Sequence, residues 1–317
     1  MLKIQQQPYN QYLHDCLLRK KEITLAVKRE DLLHEHISGN KFRKLFYNII
    51  EAKQKGYDTL LTFGGAFSNH IAATAAAGNE YGLKTIGVIR GDEFANDLPR
   101  FLQENPTLKF AHSQGMKFHF VTRENYRKKT EPDFIRELFK LFGKFYLVPE
   151  GGTNELAVKG TEEILTEEDK EFDFVCSAIG TGGTIAGIIN SSYAHQQILG
   201  FPALKENFLH QNIQQYTTKD NWKLIRDYNF GGFAKIDEKL VNFINMVSSL
   251  HNLQLDPVYT GKMLYGIIDL IKKDYFPKGS KILAIHTGGL QGIDGMNKRL
   301  KQKGLPLIKY NKYKINT

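Results

Sequence analysis

Residues 172–190 read FDFVCSAIGTGGTIAGIIN. An apolar run, Phe172–Ile179, meets three glycines within Gly180–Thr184 and passes directly into the helix-like IAGIIN. A short apolar strand, a glycine turn and a helix are the working parts of a parallel sheet, because parallel neighbours need a crossover between them. The same order recurs along the chain. Asp58–Phe63 (DTLLTF) runs into Gly64–Gly65 and the alanine-rich stretch SNHIAATAAAGNEYG. Lys84–Ile89 ends in Arg90–Gly91, Met116–Val121 forms another run, Phe145–Val148 enters PEGGTNE, and Lys281–His286 meets TGGLQG. Strands alternating with helices predict an α/β fold with open, doubly wound parallel sheets covered by helices on both faces.

The chain has 317 residues, 41% of them hydrophobic and 24% charged, as in ordinary soluble globular proteins. No apolar run reaches the roughly 18–20 residues that cross a bilayer, and the N-terminal MLKIQQQPYN has no apolar signal core. Two cysteines, Cys16 and Cys176, exclude a disulfide framework and a CxxC metal pair. A cytoplasmic protein with no membrane partner is the expectation. The formal charge of +9 comes from 43 Lys+Arg against 34 Asp+Glu. Its concentrations, Arg127–Lys129 and the C-terminal LKQKGLPLIKYNKYKINT, accompany no nucleic-acid-binding motif, so they read as a solvated surface.

Chemistry is concentrated at the glycine turns. In Gly180–Thr184, glycines let several N–H groups converge at a helix N-terminus, and Thr181 and Thr184 add hydroxyls. That suits a phosphate, although a plain tight turn has the same composition. A dinucleotide fingerprint would need glycine at Ile185, and no Gly-Lys-Ser/Thr follows for a P-loop. In GGAFSNH, Gly64–His70, Ser68 and Asn69 open a helix and can receive a carboxylate; alternatively Ser68 is simply its N-cap. The stretch Ser38–Leu45, SGNKFRKL, starts another helix. Phe42, Leu45, Phe46, Ile49 and Ile50 form its apolar stripe, Lys44 and Lys53 fall off it toward solvent, and Gly56 ends it. Lys41 sits at the positive end of that helix. The macrodipole, with Arg43 and Lys44, disfavours its ammonium and makes a nucleophilic amine, although most single lysines are solvated. Tyr259 in DPVYTGK, Tyr228 in RDYNFGGFAK and His286 are weaker candidates, since such residues are often packing or turn residues.

Together these segments resemble the pyridoxal-phosphate family of 1-aminocyclopropane-1-carboxylate (ACC) deaminase and D-cysteine desulfhydrase, in order and over nearly the whole chain. The carriers are VKREDLLHEHISGNKFRKL, GGAFSNH, GTGGT, DPVYTGK and IHTGG. The resemblance implies the tryptophan synthase β-like fold: a large domain, 1–47 and 158–317, and an inserted small domain, 48–157, with the cofactor between them. It implies a homodimer. Lys41 would hold pyridoxal 5'-phosphate and then move protons. Asn69 would bond the pyridine hydroxyl, Gly180, Thr181, Gly182, Gly183 and Thr184 would take the phosphate, and Thr287 would face the pyridine nitrogen. Ser68, Asn69, His70 and Tyr259 would meet a small amino-acid substrate, with Ser68 and Tyr259 assisting proton transfer. Gly39 and Asn40 would give the backbone room beside the cofactor.

Within the family, ring-opening deaminases carry glutamate after the tyrosine of DPVY; this chain has Thr260, as D-cysteine desulfhydrases do. The expected reaction is therefore α,β-elimination, D-cysteine giving pyruvate, ammonia and hydrogen sulfide. ACC ring opening and a non-catalytic cofactor-binding role are the alternatives. A tyrosine that the family carries in the glycine loop aligns with Phe230, with Tyr228 upstream as the candidate substitute.

Overall fold

The computed structural model describes residues 3–204 and 208–310. Its ten strands are β1 (Asn10–Leu13), β2 (Thr24–Lys28), β3 (Thr59–Gly65), β4 (Lys84–Arg90), β5 (Lys117–Val121), β6 (Tyr146–Val148), β7 (Phe174–Ile179), β8 (Gln197–Pro202), β9 (Trp222–Leu224) and β10 (Lys281–Ile285). They form two sheets. One has the order β1-β2-β10-β7-β8-β9, and the other β5-β4-β3-β6. Every pairing is parallel except β1 with β2. The six predicted strands are all present. Of the four that the sequence reading passed over, β1 and β9 are edge strands of four and three residues. The other two are β8, which carries a glycine and a proline in QILGFP, and β2, a five-residue strand inside the sheet.

Alternation along each strand divides its side chains between two cores. In the larger sheet, Leu25, Val27, Ile282 and Ala284 pack with Val241, Ile244, Leu264 and Ile267. Their neighbours Ala26, Leu283 and Ile285 pack instead with Ile185, Ile188 and Ile189. In the smaller sheet Leu60 meets the alanines of the Asn69–Tyr81 helix, with Phe42, Leu45 and Ile49. Leu61, Phe63, Ile86 and Val88 face the other way, onto Phe134 and Leu138. Helices on both faces keep these strands nearly dry, which is why they read as apolar runs. Among the described residues no helix is long and apolar enough to cross a membrane. The tail of the basic C-terminal stretch, 311–317, lies outside the described residues.

Three helices join the sheets: Asn40–Gln54, Glu155–Glu162 and Gly183–Ser191. The middle one is pressed between the others. A Cβ at Gly160 would lie 2.0 Å from the Arg43 carbonyl oxygen, and one at Gly187 would lie 2.6 Å from the Val158 carbonyl oxygen. Both obstacles are backbone, so neither side can yield by a rotamer change. Gly160→Ala is expected to cost about 1–3 kcal/mol through overpacking. A urea midpoint equal to or above that of the unaltered protein would contradict this packing.

Candidate active site

Both sheets change winding direction at one strand. In the smaller sheet β4 and β5 lie on one side of β3, and β6 on the other; in the larger, β8 and β9 lie on one side of β7, and β10 on the other. Such switch points open a crevice at the carboxyl ends of the strands. The loops after β3, β6, β7 and β10 are GGAFSN, PEGGT, GTGGT and HTGG. They meet one another. Thr153 Oγ1 and Thr181 Oγ1 are 2.6 Å apart, and a Cβ at Gly289 would lie 2.7 Å from Asn69 Nδ2.

The Asn40–Gln54 helix begins in this crevice. Gly39 has φ +59°, and a Cβ there would lie 2.1 Å from the Thr287 carbonyl oxygen. The bareness of Gly39 admits the Thr287 backbone. Asn40 is likewise engaged, its Nδ2 donating to Thr184 Oγ1 at 2.8 Å. Lys41 Nζ donates to the Gly151 carbonyl at 3.1 Å. Lys44 Nζ donates to the same carbonyl at 3.0 Å, and to Thr153 Oγ1 at 3.0 Å.

Lys44 corrects the sequence reading, which put it in solvent: the residue is 2% exposed. The apolar stripe is only part of the buried surface of this helix. The 150–154 turn covers the adjacent strip, where Asn154 Nδ2 also donates to Asn48 Oδ1 at 2.7 Å. Lys53 is exposed as expected. Arg43 is also corrected. Its guanidinium forms a buried two-point pair with Glu30, Nε to Oε2 and Nη2 to Oε1, both 3.0 Å, so its charge is matched away from Lys41. Burial alone pushes the Lys41 amine down to about 8. Burial first, then the charge of Lys41, holds Lys44 well below the usual lysine range.

The GTGGT turn forms a shallow cup. Gly182 has φ +95°, and a Cβ on Gly183 would lie 2.8 Å from Thr153 Cγ2 and 3.2 Å from Lys44 Nζ. Tyr259 stands over its near end, with Oη 3.4 Å from a Cβ placed on Gly180. Ser68 Oγ accepts from the Ile71 N–H at 3.4 Å and caps the Asn69–Tyr81 helix, whose first N–H groups face the crevice end of β3. His70 is buried, with Nε2 2.9 Å from Thr62 Oγ1 and Nδ1 without a hydrogen-bond partner. Burial, then the charges of Lys41 and Lys44, keeps its imidazole neutral.

Behind Tyr259, the Asp256 carboxylate accepts from four donors: the N–H groups of Val258, Tyr259 and Thr260 and the Thr260 hydroxyl, at 2.8–2.9 Å. Its four acceptor positions are filled. His286 Nε2 donates to the Gln254 carbonyl at 2.7 Å, while Nδ1 accepts from the Gly288 N–H at 3.2 Å, so this histidine fixes the turn. In the glycine loop Phe230 and Tyr228 each meet a partner other than Tyr259. Phe230 packs edge-on against Tyr265, centroids 5.1 Å apart, and Tyr228 Oη donates to Asp269 at 2.9 Å. The ring that meets Tyr259 is Phe233, at 6.2 Å. Tyr228 is thus occupied elsewhere, and among these loop aromatics it is Phe233 that lies against Tyr259.

An amine of depressed pKa lies beside an anion cup furnished with two threonine hydroxyls, a second buried lysine and a helix N-terminus. An aldehyde carrying a phosphate fits this donor set. The pyridoxal-phosphate dependent enzyme family matches residues 14–288. The chain belongs to that family. Its relatives narrow the branch. It is 32% identical to a bifunctional D-cysteine desulfhydrase/ACC deaminase of Arabidopsis thaliana, over 85% of this chain and 73% of that one. It is 28% identical to an ACC deaminase of Rhizobium rhizogenes, over 86% and 89%. A solved ACC deaminase homologue superposes with a TM-score of 0.77 at 28% identity, covering 95% of each chain. This places the protein among the fold type II pyridoxal-phosphate enzymes, with a tryptophan synthase β-like fold and pyridoxal phosphate as cofactor.

Sequence reasoning missed Lys44, Thr153 and Phe233 as residues of this crevice. The spacing of Lys44 carried the signal, since i and i+3 share a helix face. Thr153 gave none, because nothing local says which turn will meet GTGGT. A lysine at about 8 is about one-tenth neutral at pH 7, against about one part in 3,000 for an ordinary lysine. Covalent capture of added pyridoxal phosphate by cofactor-free protein should therefore quicken with pH and level off above about 8. A capture rate still climbing past pH 10 would contradict the buried, depressed amine.

Proposed function

We propose that this pyridoxal-phosphate enzyme is a deaminating lyase that acts on a small β-substituted amino acid by α,β-elimination, with D-cysteine as the reference substrate. The observation that carries the choice is the turn Asp256–Thr260. Thr260 follows the tyrosine of DPVY, where ring-opening deaminases of the family carry glutamate, and its hydroxyl donates to Asp256. The four filled acceptor positions of Asp256 leave it no lone pair for a pyridinium. A weak sink suffices when an acidic α-hydrogen is removed and a thiolate departs. Opening a ring that lacks an α-hydrogen asks more.

When bound, the cofactor supplies an aldehyde for the substrate amine and a ring that draws electrons from the α-carbon. Lys41 would hold it, and the neutral amine of Lys41 is the base placed to take the α-proton. Gly180–Thr184 and Lys44 hold the phosphate, the ammonium of Lys44 being favoured as soon as an anion enters the cup. Ser68 and Asn69 present the helix N-terminus to the substrate carboxylate, and the Asn69 side chain reaches across to the HTGG loop. Thr287 would face the pyridine nitrogen, and Tyr259 would serve the leaving group as its acid. His70 supports the wall beneath the substrate from a buried position. Cysteine and one water give pyruvate, ammonia and hydrogen sulfide.

Ring opening of ACC is the competing reading, favoured by the Rhizobium relative's name, while the Arabidopsis relative is named for both activities. The division into a large domain, 1–47 and 158–317, and an inserted one, 48–157, belongs to the same proposal and is supported by the two sheets. So do pairing into a homodimer and a cytoplasmic location. A panel of D- and L-amino acids with ACC, read as 2-oxoacid release, tests the choice. D-cysteine should exceed ACC in kcat/KM by at least tenfold. Faster 2-oxobutanoate release from ACC would reverse the assignment, and cofactor uptake without turnover of any amino acid would favour a non-catalytic role.

A further inference from the structure

Two large aromatic rings stand in solvent beside the crevice. Phe67, next to Ser68, is 51% exposed, and Phe233, against Tyr259, is 47% exposed. One helix, Gly292–Gln302, fixes both from below. A Cβ on Gly292 would lie 3.6 Å from Asn69 Oδ1, and a Cβ on Gly295 would lie 3.1 Å from the Phe67 ring. One turn further, Arg299 Nη1 donates to the Ala234 carbonyl at 3.3 Å, holding the loop that carries Phe233. Residues 292, 295 and 299 share one face of a helix, so they span about 10 Å in a line. Phe67 therefore stands between Asn69 and the Phe233 loop.

The loop is fastened at its other end too. Lys262, 2% exposed, donates from Nζ to the carbonyls of Asn229 at 2.9 Å and Gly232 at 2.8 Å. Phe230 and Ala234 hold φ of +53° and +52°, conformations that side chains other than glycine adopt at a cost. So the ring of Phe233 is presented by a loop tied on both sides and is not a stray surface residue. Its neighbour Tyr259 brings it to the GTGGT end of the site, while Phe67 brings the other ring to the Ser68 end.

We propose that Phe67 and Phe233 form an apolar clamp at the mouth, selecting cysteines whose sulfur carries an alkyl or aryl group over free cysteine. The proposal rests on the lyase reading above and names its substrate class. Apolar rings at a mouth are dewetted by an apolar substituent but not by a bare thiol. In the reaction the Cβ–S bond breaks, the α-proton leaves, and the sulfur departs with one proton as the free thiol. With one water, R–S–CH2–CH(NH3+)–COO− gives R–SH, pyruvate and ammonium, with no net oxidation.

The test compares S-benzylcysteine with cysteine, both enantiomers of each, on the holoenzyme by pyruvate and thiol release. Preference for the benzyl substrate of at least tenfold in kcat/KM is expected. Phe67→Ala and Phe233→Ala should each shrink that ratio several-fold, chiefly by raising the KM of the benzyl substrate. A second measurement needs no variant: phenylalanine should perturb the cofactor spectrum at lower concentration than alanine does. Cysteine outrunning S-benzylcysteine would overturn the clamp and leave the lyase reading standing. An unchanged ratio in both variants, with a change in mass in solution, would give the rings to contact between copies and overturn it equally. Absence of pyruvate from every substrate would overturn the lyase reading and the clamp with it.

Discussion

Backbone against backbone is the constraint on which the rest depends. The Glu155–Glu162 helix lies between the helix that carries Lys41 and the helix fed by GTGGT, and bare Cα atoms at Gly160 and Gly187 set the two separations. Contacts of this kind have no soft component, because neither carbonyl can turn aside. The amine stands on the helix that follows β2 and the anion cup follows β7, two strands of one sheet with β10 between them. One short helix fixes their distance. Gly39, admitting the Thr287 carbonyl, closes the same arrangement from the opposite side.

Within that frame, burial governs reactivity more than neighbouring charge. Arg43 is matched by Glu30, and its guanidinium is held out of the electrostatics of the crevice. Lys28 with Asp169 and Arg29 with Asp31 are buried pairs of the same kind. Each cation in VKRED-to-FRKL is thus paired with a carboxylate, except Lys41 and Lys44, which converge on a single carbonyl. Two ammonium groups on one acceptor are unstable unless one is neutral or an anion arrives. In the proposed reading a phosphate in the cup would satisfy Lys44 and leave Lys41 as the amine, giving the two lysines different chemistry from nearly the same environment.

Much of this was legible before any fold was known. The strand–glycine–helix rhythm announced parallel sheets because such strands, covered on both faces, are apolar throughout. GTGGT, GGAFSNH and Lys41 could be picked out because helix N-termini and glycines have local signatures. Lys44 misled, since a charged residue beside an apolar stripe reads as solvated, and only the arrival of the 150–154 turn buries it. The contact of Phe233 with Tyr259 had no local signal. In a loop with two glycines and no periodicity, nothing local says which aromatic will turn toward Tyr259. The short strands β1 and β9 were illegible for a related reason: three or four residues at a sheet edge carry too little pattern.

The central claim is that Lys41, and not its neighbour three residues on, is the reagent, while Lys44 serves the phosphate. Borohydride reduction of the holoenzyme followed by peptide mapping tests it most directly. The pyridoxyl group should be found on Lys41 alone, with Lys44 unmodified. A pyridoxyl group on Lys44, or divided between the two lysines, would contradict the account.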